Sequence, residues 1–99
     1  MNADVYVVAV GQGTRERAFA LAEELRDVVA GIRVEMNLGG GSFKSQMKRA
    51  DKSNAVYALI LGEQELNERR IGVKPLRSNE EQESVALGEV AAMLKAKLN

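Results

Sequence analysis

Hydrophobic and polar positions change their period several times along the first part of the chain. Residues 4–10 form a nearly continuous apolar run rich in valine, which is typical of a strand covered on both faces. Residues 15–30 carry apolar side chains every three or four positions, which predicts a long helix with Thr14 as its N-cap and Gly31 beyond its end. The predicted buried face of this helix consists of Ala18, Leu21, Ala22, Leu25, Val28 and Val29.

Strand and helix patterns keep alternating up to residue 61. Apolar residues at positions 32, 34 and 36 alternate with polar ones, which predicts a short, lateral strand. A short helix is predicted over 43–53, and residues 55–61 are predicted to form the most buried strand. Because two helices separate three strands, this part of the chain favours a parallel sheet with helical crossovers.

The last part of the chain predicts a smaller antiparallel unit. Residues 62–67 are predicted to form a turn or a single helical turn, and residues 70–76 an alternating strand in which Pro75 fits a strand end or a sheet edge. A short strand near 82–85 is predicted to pair with it in antiparallel fashion. A closing helix is defined by Leu87, Val90, Ala91, Leu94 and Leu98. The length and the element order together predict one α/β domain over residues 1–99.

The charge distribution is more informative than the net charge. Lysine plus arginine equals aspartate plus glutamate, at 14 each, so the total gives no indication of a nucleic-acid partner. Residues 39–52, however, contain four basic residues and one acidic residue, whereas Glu63, Glu65 and Glu68 follow closely. A neutral total can therefore hide a basic face beside an acidic patch.

Several kinds of chemistry are disfavoured by the residues that the sequence lacks. There is no cysteine and no histidine, so thiol chemistry, the commonest general base and the commonest metal ligand are all missing. We expect no catalytic residue and no metal site in this chain. No signal pattern and no membrane-length apolar run is present, so we expect a cytoplasmic domain without a membrane partner.

Two nucleotide-binding motifs are also disfavoured. Gly11 and Gly13 follow a predicted strand, but the third position of a dinucleotide fingerprint is Glu16 rather than glycine. The glycine run at 39–41 lacks the Gly-Lys-Ser/Thr ending of a P-loop. An acid–base pair of Glu63 and Glu65 is less plausible than two solvated acids in a turn.

The glycine-rich segment and the helix after it form the most distinctive stretch. Gly39, Gly40 and Gly41 can adopt positive φ and approach a ligand closely, and Ser42 is a plausible N-cap. Two stripes are predicted on the helix, a core stripe of Phe43, Met47 and Ala50 and a basic stripe of Lys44, Lys48 and Lys52. This arrangement suits the sugar-phosphate backbone of a nucleic acid. The alternative is a plain connection followed by a solvated amphipathic helix.

Segments spread over residues 4–98 resemble, in order, the C-terminal anticodon-binding domain of class II aminoacyl-tRNA synthetases. The likeness is greatest to the bacterial histidyl-tRNA synthetases. The segments that carry it are residues 4–8, 21–26, 39–46, 50–52, 59–65 and 73–74. Each segment alone is weak, whereas the ordered set at these spacings is fairly specific.

The resemblance implies a fold, a partner and a set of binding positions. The fold would be α/β, with a five-stranded mixed sheet flanked by three helices, and the partner would be the anticodon arm of tRNA-His. Bases would be read at Gly39, Gly40, Gly41, Lys44, Gln46, Glu65 and Lys74. The spacing of Lys48 and Lys52 on the basic stripe suits contacts with backbone phosphates.

The resemblance also implies what this chain does not do alone. ATP and magnesium would act only in a catalytic domain of the same polypeptide, which is absent from these residues and ligates histidine to tRNA. The full-length enzyme is expected to be a homodimer and the isolated domain a monomer. The alternative is a non-catalytic interaction module of a synthetase paralogue, such as a histidine-biosynthesis regulatory subunit. The lysine-rich stretch favours tRNA binding, because the core of a protein interface is more apolar.

Overall fold

The computed structural model describes residues 2–37 and 39–99. Five strands form one sheet: β1 (Val5–Val10), β2 (Val34–Met36), β3 (Tyr57–Gly62), β4 (Arg70–Pro75) and β5 (Glu83–Ala86). The helices are α1 (Thr14–Val28), α2 (Phe43–Lys52), α3 (Glu63–Glu68) and α4 (Val90–Leu98), with a 3₁₀ turn at Leu87–Glu89. Three longer helices and one short helix thus accompany the expected five-stranded mixed sheet.

The sheet has the order β2-β1-β3-β4-β5, with the first strand of the chain near its centre. β1 pairs in parallel with β2 and with β3, and the helical crossovers α1 and α2 make these parallel connections possible. β4 pairs in antiparallel fashion with both β3 and β5. Only the short helix α3 separates β3 from β4, and one loop separates β4 from β5, so neither connection is long enough for a parallel crossover. The predicted pairing of the strand near 82–85 with the strand over 70–76 is confirmed.

The two faces of the sheet carry different cores. The larger core lies under α1 and α4 and contains large aliphatic side chains. Its fully buried members include Leu21, Leu25, Leu59, Leu61, Ile71 and Leu94. The smaller core lies under α2 and is built from Tyr6, Val8, Ala50, Ala55 and Ala58. Its alanines let α2 pack closely on the sheet, principally on β1.

The face under α2 remains open over the last two strands. Cross-strand partners share a face of the sheet, and Ala58 of the smaller core pairs with Lys74. Gly72 pairs with Ser84 on this same face. Lys74 and Ser84 are exposed, so β4 and β5 present a polar surface beside α2.

Three details of the predicted helices are wrong. Thr14 does not cap α1: Gly13 occupies the N-cap with a φ of 80°, and the buried Thr14 hydroxyl donates to Gly11 O at 2.7 Å. Val28 is 42% exposed, because α1 ends there and the buried Val29 continues the apolar face. Phe43 is 49% exposed, because the apolar stripe of α2 reaches the core only from Met47 onwards.

The start of α2 agrees with its sequence. Ser42 is the N-cap, and its hydroxyl oxygen accepts from the Ser45 backbone N–H at 3.1 Å. Within the described residues, no helix is long and apolar enough to cross a bilayer.

Candidate nucleic-acid interface

Four lysines from two elements meet along one groove. Lys44, Lys48 and Lys52 lie at successive turns of α2, and Lys74 comes from β4. The groove has a volume of about 690 Å³, and all four lysines are exposed. It is lined by Phe43, Lys44, Met47, Lys48, Asp51, Lys52, Lys74, Pro75 and Leu76. The predicted basic stripe therefore belongs to a larger basic groove.

The groove keeps an excess of positive charge. Asp51 is the one acid among its lining residues, and its Oδ1 already lies 2.5 Å from Arg77 Nη2. Like charges four residues apart on a helix destabilise it by about 0.2–0.5 kcal/mol for each pair. Lys44 also lies in the first turn, where the helix dipole disfavours a cation. The row of lysines therefore destabilises α2 in the free protein, whereas a bound polyanion would attract the same lysines and stabilise the helix.

The sequence-based interpretation missed Phe43 as a surface residue. Its ring lies at the start of α2, beside the lysines, in the lining of the groove. An exposed aromatic ring next to cations is a suitable surface for stacking an unpaired base. The available signal was its position directly after the N-cap, where a helix often extends past the core that it covers.

Two side-chain amides determine the conformation of the glycine segment. Gly40 and Gly41 have φ values of 75° and 115°, which explains the need for glycine at both positions. The Asn37 amide donates from Nδ2 to Gly40 O, and its Oδ1 accepts from the Gly39 backbone N–H at 3.1 Å. Gln46 Nε2 donates to Gly41 O at 2.9 Å. The segment is therefore anchored by side chains on both of its flanks.

Gln46 has a different role from the one implied by the resemblance. It is 2% exposed; its Oε1 accepts from Ala9 N at 3.0 Å, and its Nε2 donates to Ala9 O at 2.9 Å. β2 stops opposite Val7, so the amide continues the hydrogen bonding of the β1 edge beyond the last residue of β2. The expectation that Gln46 reads a base edge is corrected, since both of its N–H donors are used inside the protein.

The acids after β3 also bind backbone groups. Glu65 is half-buried, and its Oε1 accepts from the Gly62 backbone N–H at 2.9 Å at the start of α3. This is the acidic half of a capping box, since the N-cap Gly62 has no side chain to form the other half. Glu63 Oε2 accepts from the Gln12 backbone N–H at 2.9 Å and so links α3 to the turn before α1. Glu63 is exposed, as the sequence favoured, whereas Glu65 is half-buried, and each carboxylate binds a backbone N–H group.

The predicted positions do not all lie together. Lys44, Lys48, Lys52 and Lys74 share the groove, whereas Glu65 follows the carboxyl end of β3 and is absent from the groove lining. Lys74 pairs with Ala58, four residues from Gly62, so about 13 Å of strand separates the two regions. A ligand that touches both must be elongated. The described residues contain no group of three or more acids arranged to hold a metal ion.

Known proteins resemble this chain in sequence and in fold. The family of anticodon binding domains matches residues 4–97. A histidine–tRNA ligase from Hydrogenovibrio crunogenus is 47% identical over 95 residues, which are 96% of this chain and 22% of the ligase. The apo crystal structure of the Staphylococcus aureus histidyl-tRNA synthetase has a TM-score of 0.84 at 30% identity, over 95% of this chain and 23% of that protein.

A more distant structure shares the fold alone. The RNA binding domain of the threonyl-tRNA synthetase from Cryptosporidium parvum has a TM-score of 0.83 at 17% identity, over 95% of this chain and 23% of that protein. The chain thus spans about a fifth of the length of the histidine–tRNA ligase that it matches, at 22%.

Proposed function

Because the chain belongs to the family of anticodon-binding domains and is homologous to the C-terminal domain of histidyl-tRNA synthetase, we propose that it binds the anticodon arm of tRNA-His. The observation that carries this proposal is the groove that four exposed lysines from α2 and β4 line together with the exposed ring of Phe43. Cations beside an aromatic ring suit a single-stranded RNA loop, which offers phosphates and unstacked bases together.

Some of the groove residues position the RNA by its phosphates, and others recognise its bases. Lys48 and Lys52 contact phosphates, which orient the RNA without reporting its sequence. Phe43 stacks on an anticodon base, and Lys74 donates a hydrogen bond to a base edge nearby. Lys44 has three N–H donors, and it binds both a base edge and the adjacent phosphate. Glu65 accepts from an exocyclic amino group further along the loop, about 13 Å of strand away. The distance between these positions suits an anticodon loop better than a mononucleotide.

Salt dependence of hairpin binding tests the proposal. Three phosphates neutralised by Lys44, Lys48 and Lys52 give a slope of log K against log salt of about −2 or steeper, since each phosphate of a single strand contributes about 0.7. Lys48→Ala should weaken binding of a tRNA-His anticodon hairpin and of a scrambled hairpin about equally, and should make the slope shallower by about 0.7.

The matched control is Lys95→Ala, because Lys95 is exposed on α4, which packs with α1 over the other face of the sheet. This variant should bind both hairpins as the native chain does. Binding that does not depend on salt, or no binding of the native chain at low salt, would contradict the proposal.

The role in a longer protein follows from the same homology. We propose that this domain helps to position tRNA-His for histidine–tRNA ligation by a catalytic domain of the same polypeptide, within a homodimeric enzyme. ATP and magnesium would act in that catalytic domain, and the present residues would contribute only RNA binding.

One observation favours the alternative of an interaction module. A cleft of about 430 Å³ lies beside the edge strand β2, and the ring of Phe19 in it is 47% exposed. This cleft lies between α1 and β2, away from the lysine groove. Contact with another protein at this cleft is therefore compatible with RNA binding at the groove.

A further inference from the structure

Two arginines from different elements converge on the glycine segment. A Cβ atom added to Gly40 would lie 3.4 Å from Arg15 Nη2, and one added to Gly41 would lie 3.6 Å from Arg49 Nη1. Arg15 comes from the first turn of α1, and Arg49 comes from the C-terminal half of α2. Because Gly40 and Gly41 are adjacent, with Cα atoms about 3.8 Å apart, the two guanidinium groups flank one short stretch of backbone.

Folding alone does not account for this convergence. Among the ion pairs of residues 2–37 and 39–99, none involves Arg15 or Arg49. A cation in the first turn of a helix, as at Arg15, is disfavoured by the helix dipole. The acids nearest to these arginines along α1 and α2 are Glu16 and Asp51, and Asp51 already pairs with Arg77. Burial raises the pKa of Tyr6, while Arg49 lowers it and Glu35 raises it by smaller effects.

The backbone carbonyl groups between the two arginines are hydrogen-bonded within the protein, which lowers their repulsion of an anion. The carbonyl oxygens of Gly40 and Gly41 would repel an anion, but both accept hydrogen bonds from the protein itself. Asn37 Nδ2 binds the first of them and the buried Gln46 Nε2 binds the second. Gly40 keeps the space beside Arg15 Nη2 free of a side chain, whereas a Cβ on Gly41 would lie 2.9 Å from Ser45 Oγ and 3.5 Å from Asn37 Nδ2. Ser45 and Asn37 therefore line the space beside Arg49 as well.

We propose that Arg15, Arg49 and the glycine segment bind a phosphodiester group of the same RNA that occupies the lysine groove. This proposal rests on the proposed function and adds a second phosphate site to it. Arginine suits such a site, since its planar fork binds phosphate oxygens in pairs. Arg49 follows Lys48 in sequence and so projects about 100° away from it around α2. The RNA strand therefore passes over the N-terminal end of α2, where Phe43 lies, and places phosphates on both sides of the helix.

Hairpin binding by arginine variants tests this second site. Arg15→Ala and Arg49→Ala should each weaken binding of the tRNA-His anticodon hairpin about fivefold to tenfold at low salt. The slope of log K against log salt should be about −2.7 for the native chain, because the second site adds one phosphate worth about 0.7. For the double variant Arg15→Ala/Arg49→Ala the slope should return to about −2. The double variant should also lose less affinity than the product of the two single losses, since both arginines bind one phosphate.

Arg26→Ala is the matched control. Arg26 lies on the same helix as Arg15 but about 16 Å away along its axis, where it pairs with Glu23. The inference is wrong if Arg15→Ala and Arg49→Ala bind like Arg26→Ala while Lys48→Ala still weakens binding. That result would leave the proposed function intact. If the native chain binds neither hairpin, both the proposed function and the second site are wrong.

Competition separates an RNA phosphate from a free anion. Inorganic phosphate should displace the hairpin no better than chloride at equal ionic strength, because the site binds a phosphate already held by the rest of the RNA. If inorganic phosphate at millimolar concentration competes specifically with the native chain and not with the double variant, the site is one for a free anion and the assignment to RNA is overturned.

Discussion

Gln46 shows at the scale of one residue how a side chain can replace a strand. A glutamine amide carries the same donor and acceptor as a peptide group, and here it bonds to both the N–H and the C=O of Ala9. Its position one turn after the glycines is visible in the sequence. Whether the amide faces solvent or the open edge of β1 depends on where β2 ends, and no local pattern in the sequence determines that point.

Loss of the Gln46 amide should destabilise the fold. Gln46→Ala leaves Ala9 N, Ala9 O and Gly41 O without their partner, and a fully buried group in this state costs about 1–3 kcal/mol. These three groups are partly buried, so water replaces part of the loss. We expect the free energy of unfolding to fall by about 2–5 kcal/mol, allowing for water that enters the space. Urea denaturation measures this change. Gln46→Met, which keeps most of the volume, should recover only a minor part.

An exposed glutamine provides the comparison for this prediction. Gln64 is exposed on α3, so Gln64→Ala should change the free energy of unfolding by no more than about 0.5 kcal/mol. Equal stability of Gln46→Ala and Gln64→Ala would show that the buried amide contributes nothing.

At the scale of elements, the strands were more predictable than the ends of the helices. The valine-rich run of β1 is buried on both faces, as the sequence predicts. Ile71 and Val73 of β4 reach the larger core as predicted, although Gly72 between them is buried too. The start of α1 was not predictable from Thr14, because Gly13 takes the N-cap by a positive φ that its sequence permits but does not require. Periodicity places Phe43 on the core side of α2, but periodicity does not indicate how far the core extends along a helix, and Phe43 lies beyond its end.

The start of α3 shows how a binding role can be separated from a structural one. Glu65→Gln keeps a side-chain oxygen that can accept from the Gly62 N–H, so stability should change by less than about 0.5 kcal/mol. Loss of the carboxylate should narrow the affinity ratio between a histidine anticodon hairpin and a scrambled one several-fold, since a base-edge contact is worth about 1–3 kcal/mol by analogy with DNA.

Glu65→Ala supplies the contrast, because it removes the cap as well and should cost about 1 kcal/mol of stability. Hairpin affinities at one fixed salt concentration, together with thermal melts, distinguish the two variants. An unchanged affinity ratio in Glu65→Gln would limit Glu65 to its capping role.

At the scale of the whole molecule, the sheet leaves two short edges. β2 has 3 residues and β5 has 4, and short edge strands offer little backbone for pairing with another chain. The large exposed apolar side chains are spread over separate elements, with Phe19 and Val28 on α1, Phe43 on α2 and Val56 before β3.

We therefore expect the 10.8 kDa chain to be a monomer, and sedimentation at micromolar concentration measures its mass. A stable species of twice that mass would contradict this prediction and would favour the interaction-module alternative. Phe19→Ser would then locate the interface, since it would dissociate a dimer formed through the cleft beside β2 and leave any other dimer unchanged.

The position of β1 between β2 and β3 has a consequence for synthesis on the ribosome. β1 emerges before both of its neighbours in the sheet, and the face opposite α2 is completed only when α4 places Val90 and Leu94 in the core. At about 5–20 residues per second, translation from residue 10 to residue 98 takes roughly 4–18 s. During this interval the valine-rich segment lacks its full cover, and its apolar side chains are exposed to water. The 9 residues of α4 determine when that exposure ends.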